Sequence, residues 1–127
     1  MDKERAQALL KSARLELEEL GRVAALVSKE RIVEYYYDTL KKLIVGLMYA
    51  EGYKTLSHKA LLEYLERHHT GVLSKSELGL LELLRKVRNG ISYYGEPAPD
   101  SLLFQQEDRL KQMVGKLIAV LGERVAL

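Results

Sequence analysis

SKERIVEYYYDTLKKLIVGLMYAEG, from Ser28 to Gly52, is the stretch that decides the fold. Ser28 suits an N-cap and Gly52 the left-handed conformation that ends a helix, so one helix is expected between them. Val33, Tyr36, Leu40, Leu43 and Leu47 lie near one face, while Tyr37, Ile44, Val45 and Met48 carry the apolar surface further around the cylinder. A helix apolar over more than about 100° of its circumference needs more than one packing partner. Neighbouring helices supply some of that cover, and in a chain this small a second copy is expected to supply the rest, which makes a homodimer the expected assembly.

On the N-terminal side, Ala6, Leu10, Ala13, Leu17, Leu20, Ala24 and Val27 recur at steps of three and four, which predicts a helix over residues 3 to 27. On the other side, Ser57 opens a short helix, SHKALLEYLERHH, with Ala60, Leu61, Tyr64 and Leu65 as its buried side and Gly71 soon after its end. Ser74 and Glu77 then form an S-x-x-E capping box, bracketed by Leu73 and Leu78 at the spacing of a hydrophobic staple. The helix that follows carries Leu80, Leu84, Val87, Ile91 and Tyr94 on one face. Both prolines, Pro97 and Pro99, fall in GEPAPD, and a last helix starting at Asp100 or Ser101 buries Leu103, Leu110, Met113, Val114, Leu117 and Leu121. The expected fold is all-α: a single domain over residues 1–127, built as an up-and-down four-helix bundle with an additional short helix.

Composition narrows the function. The chain has no cysteine, hence no disulfide and no thiolate chemistry, and its opening, MDKERAQALLKSAR, is charged where a secretory signal carries an apolar core. A cytoplasmic protein is expected. The longest apolar run, LIVGLMYA, stops at Glu51, far short of the roughly 20 residues of a spanning helix. With 20 basic against 18 acidic residues the net charge is only +2, too little for a general field that wraps duplex DNA.

Charge is concentrated locally instead. RKVRNGISYYG, Arg85 to Gly95, ends the fourth helix with three basic residues, an Asn-Gly pair and two tyrosines. Two readings stand for Arg88 and Asn89. Cations complement the negative end of a helix dipole and satisfy its last carbonyls, so the pair can be a cap. Alternatively, Arg85, Arg88, Asn89 and Ser92 project from the side opposite Leu84, Val87 and Ile91 and meet a ligand there. On an ideal helix Tyr93 points away from Arg88, and convergence of the two requires the helix to loosen between Gly90 and Gly95.

The chain resembles the HEPN domain family in three stretches: the tyrosine-rich second helix with KKLIVGLMYAEGY, the short TLSHKALLEYL, and LLRKVRNGISYYG at the end of the fourth helix. The flanking helices fit by length and order. The resemblance implies a helical bundle that dimerises so that two arginine motifs face a shared cleft. It also implies metal-independent endoribonuclease activity on an Arg, four to six residues, His motif, with no cofactor, and a toxin-like role beside a small nucleotidyltransferase partner. Arg88 and Asn89 match the first two motif positions, but Tyr93 stands where His is expected and Tyr94 follows it. Imidazole exchanges protons near neutrality, whereas a phenol near pKa 10 stays protonated. The catalytic set carried over is therefore Arg88, Asn89 and Tyr93, with Arg85, Ser92 and Tyr94 as ligand contacts for RNA phosphate or nucleotide. The expected activity is weakened, and a non-catalytic nucleotide- or partner-binding dimer is the alternative.

The remaining candidates read as structural. His58 follows an N-cap and is expected to pack or hydrogen-bond at the helix start; His68 and His69 end the third helix and diverge by about 100°, a poor metal pair. No metal site is expected. Tyr35, Tyr36, Tyr37 and Tyr49 can stack on bases, but consecutive positions point apart, so packing is the expected role.

Overall fold

In the computed structural model, which describes residues 2–54 and 57–126, the chain is all-α. The helices are α1 (Lys3–Val23), α2 (Lys29–Ala50), α3 (His58–His68), α4 (Lys75–Tyr94) and α5 (Asp100–Val125), and a 3-10 turn at Ala24–Leu26 closes α1. Thr55 and Leu56, which open the TLSHKALLEYL stretch, lie outside the described residues. No described helix is long and apolar enough to cross a membrane.

The caps fall where the side-chain chemistry puts them. The hydroxyls of Ser28, Ser57 and Ser74 accept from the N–H groups of Arg31, Ala60 and Glu77. Gly52, Gly71 and Gly95 take positive φ after their helices. At Gly95, φ is 65°, and its N–H reaches the carbonyls of Gly90 and Ile91, stopping α4 sharply at the end of the arginine stretch.

The three consecutive tyrosines of α2 show what its wide apolar surface is for. Successive residues on a helix diverge by about 100°. Tyr35 donates to Glu19 of α1, Tyr36 donates to Glu107 of α5 at 2.8 Å, and Tyr37 lies 3.2 Å from His58 Nδ1 of α3. All three are buried. Helix α2 is thus the central element, packed against α1, α3, α4 and α5 at once. Its second apolar face is covered within one chain, so that face supplies no argument for a second copy.

Four positions depart from the expected core. Leu102 rather than Leu103 is the buried residue in the first turn of α5, and Tyr94 is 78% exposed. Ala60 and Val87 are only half-buried.

Glu77 holds the start of α4. Its carboxylate accepts from the Ser74 N–H at 2.9 Å and pairs with Lys116 of α5 at 2.8 and 2.9 Å, although the residue is buried. Burial alone works against its charge, but Lys116 and the Ser74 N–H outweigh it and hold the pKa below the carboxylate value of 4.5. A depressed folded pKa adds stability that is present above the unfolded value and is lost as pH falls through the folded one. Glu77→Ala is therefore expected to cost about 1–2 kcal/mol at pH 7, with the gap to the native chain narrowing in acid below about pH 4. Urea unfolding at pH 7 and pH 3 checks both the size and the sign.

Candidate functional site

The arginine stretch sits on an uninterrupted α4, and helix geometry decides where each side chain goes. Glu77, Leu81 and Leu84 are buried, and Arg88 continues that row by one more step of four. Arg88 therefore points in toward α2 rather than outward opposite Leu84, which corrects the expected shared outward side of Arg85, Arg88, Asn89 and Ser92. Its guanidinium lies over the Tyr37 ring, 5.2 Å from the centroid, and 3.6 Å from Asp38 Oδ1. It also donates to Asn89 Oδ1 at 3.2 Å. The side chain keeps 25% of its surface exposed, so it is positioned without being sealed off.

Arg88 opens into a cavity of about 220 Å³ lined by Leu9, Glu16, Asp38, Lys41, Lys42, Val45 and Arg88. Lys42 is committed to Glu16 and Ser12. Lys41 has no ion-pair partner among the described residues, so an unpaired ammonium and a loosely paired guanidinium share one opening. Sequence reading missed Lys41. It sits one step of four after Tyr37 on α2, but only the packing of α4 on α2 brings it beside Arg88.

On the other side of Tyr37 the charges are tightly paired. Glu82 takes Arg85 through Nε at 3.2 Å and a terminal nitrogen at 2.6 Å, leaving Arg85 little to offer a ligand. Arg85 holds the Glu82 carboxyl below its ordinary pKa. His58 Nε2 approaches Glu82 Oε2 at 2.7 Å, obliquely and without a well-directed hydrogen bond, while Nδ1 faces the Tyr37 hydroxyl. Burial pushes the imidazole pKa down; Glu82 opposes this, and Arg85 and Lys41 assist it. Burial likewise raises the Tyr37 pKa, against the pull of Arg88 and Arg85. Tyr37 and His58 thus stand together behind Arg88, and both imidazole nitrogens face protein.

The remaining motif residues do not converge. Tyr93 is 68% exposed, and because α4 stays helical through Gly90 it keeps the divergent direction of an ideal helix. Gly90 lies under the Glu96 side chain, where the chain folds back across the helix end and the Glu96 N–H reaches the Gly90 carbonyl. Ser92 reaches only Glu34, at 3.5 Å, and Tyr94 is exposed. His69 is buried against Glu51 at 2.6 Å and Tyr64 at 3.1 Å, a structural contact that joins α3 to the end of α2. Among the described residues no cluster of His, Asp or Glu could hold a metal ion.

No family model, curated protein or solved structure matches this chain. The functional reading therefore rests on the geometry of the Arg88 cavity and on the motif stretches themselves.

Proposed function

We propose that the protein is a HEPN-like module that binds the phosphate groups of RNA or nucleotides at the Arg88 cavity. The observation that carries the reading is the pairing of Arg88, preset by Asn89 and the Tyr37 ring, with the unpaired Lys41 around one opening. A guanidinium presents several donors to phosphate oxygens, and an ammonium beside it adds charge without fixing direction. The three HEPN-like stretches supply the rest of the proposal: a toxin-like component that pairs with a second copy of itself and with a small nucleotidyltransferase.

The reading favours binding over cleavage. Metal-independent cleavage of RNA needs a group that takes the 2′-hydroxyl proton near pH 7. Tyr93 diverges from Arg88, and both nitrogens of His58 face protein partners. With chelator present, the native protein is expected to retain single-stranded RNA in fluorescence anisotropy and to leave it intact. Tyr93→His is expected to add no cleavage, because the new imidazole inherits the divergent direction. Cleavage by the native chain that disappears in Arg88→Met would replace this reading with a ribonuclease; absence of any RNA or nucleotide binding would remove it.

A further inference from the structure

The charge left over around the Arg88 cavity, together with its size, decides which phosphate suits it. Lys41, Lys42 and Arg88 line it against Glu16 and Asp38, so the lining carries one net positive charge. Lys42 is tied to Glu16, and Arg88 stands 3.6 Å from Asp38. The surplus charge is therefore that of Lys41. Charges just beyond the lining are balanced in pairs: Glu34 lies 3.8 Å from Arg31, and Glu82 lies 2.6 Å from Arg85. The cavity is also small. At about 220 Å³ it falls below the roughly 300–1,000 Å³ of pockets that enclose a whole small ligand, so it suits a phosphate group with the nucleoside left outside.

Resting on the phosphate-binding reading above, we propose that the cavity prefers a terminal phosphomonoester to an internal phosphodiester, and that Lys41 is the residue that sets this preference. Above its second pKa near 6 a monoester is largely a dianion, whereas a diester carries a single charge. Doubling the ligand charge doubles the repulsion from Asp38 and Glu16, and it doubles the attraction of the three cations as well. With the cations in the majority, the dianion gains. The count of oxygens works in the same direction: a monoester offers three terminal oxygens, enough for two on the Arg88 fork and one on Lys41, whereas a diester offers two. The ligand class is thus a phosphate end, carried by an RNA strand or by a single nucleotide.

Uridine 5′-phosphate and its methyl ester differ only in whether one phosphate oxygen is esterified, which makes them the test pair. Both are titrated at pH 7.5 into the native protein, Lys41→Met, Lys41→Arg, Arg88→Met and Lys111→Met, and followed at the backbone amides of positions 38, 41 and 89. Lys111 is an exposed residue of α5 outside the cavity lining, so its removal lowers the overall charge by the same amount as Lys41→Met. The native protein is expected to bind the monoester about three- to tenfold more tightly than the methyl ester. Lys41→Met should bring that ratio to within about twofold of unity, while Lys41→Arg and Lys111→Met keep it. A 5′-phosphorylated uridine tetranucleotide separates the two sources: binding tighter than the mononucleotide assigns the end of an RNA strand, and equal binding a free nucleotide. Equal affinities in the native protein, a tighter methyl ester, or a ratio that survives Lys41→Met or disappears in Lys111→Met overturns the inference. The phosphate site itself then stands, provided Arg88→Met weakens both ligands. If neither ligand moves the cavity amides of the native protein, the phosphate site falls and the inference with it.

Discussion

Gly46→Val is expected to destabilise the protein by about 2–3 kcal/mol, whereas Gly46→Ala stays near neutral. At Gly46, α2 meets α1 and α5 together. A Cβ placed there would lie 3.0 Å from Leu121 Cδ2, 3.4 Å from Leu9 Cβ and 3.6 Å from the Ala6 carbonyl oxygen. Alanine brings only that one carbon, and the side-chain end of Leu121 can give by a few tenths of an ångström; replacing glycine within a helix also returns up to about 1 kcal/mol of backbone propensity. Valine adds two further methyls with a nearly fixed χ1, and they run into Leu9 and the Ala6 backbone, which cannot move without shifting α1. Thermal unfolding should separate the two variants by roughly 10 °C. A valine variant as stable as the native chain would mean that α1, α2 and α5 do not meet at this point.

Arg88→Met is expected to weaken binding of single-stranded RNA about 10- to 100-fold, the loss that follows removal of charge-assisted hydrogen bonds to phosphate. The salt dependence should fall as well, by about 0.7 in the slope of log affinity against log salt for each phosphate contact removed. Methionine keeps an apolar stem over the Tyr37 ring, and the Asp38 pair it gives up is partly exposed, so the stability change should stay within about 1 kcal/mol. Anisotropy titrations at several salt concentrations, with urea unfolding of the same samples, separate a lost ligand contact from a damaged fold. An unchanged affinity together with reduced stability would make Arg88 a cap and structural contact only.

Much of the fold was legible because it is written in local chemistry. Ser28, Ser57 and Ser74 mark helix starts through their own hydroxyls, Gly52, Gly71 and Gly95 mark ends through positive φ, and the capping box at Ser74 and Glu77 forms as spaced. Other features depend on what packs against a helix. Leu102 takes the buried place expected of Leu103, and Tyr94 is exposed at the end of α4. Glu77 reads as the second half of a capping box, and its pairing with Lys116, 39 residues later, depends on the packing of α5.

The candidate site divides along the same line. The inward direction of Arg88 was available in the row Glu77, Leu81, Leu84, Arg88, since steps of four and three carry the buried stripe to the arginine itself. Its partners were not. Asp38, Tyr37 and Lys41 belong to α2, and the approach of His58 to Glu82 joins side chains from α3 and α4, 24 residues apart in sequence. Arg85 looked as available as Arg88, but a bidentate pair three residues back along its own helix occupies it. The motif drew attention to α4, and tertiary packing decides which of its residues face the opening beside Arg88.

The most direct test of the central claim is a titration of the isotopically labelled protein with a short oligouridylate, followed by NMR at the Arg88 Nε–H and the backbone amides of Asp38, Lys41 and Asn89. Binding at the Arg88 cavity predicts that these four signals move together, saturate at one affinity, and lose their response in Arg88→Met. Shifts confined to other basic surfaces, or an Arg88 Nε–H that does not move while RNA binds, would contradict it.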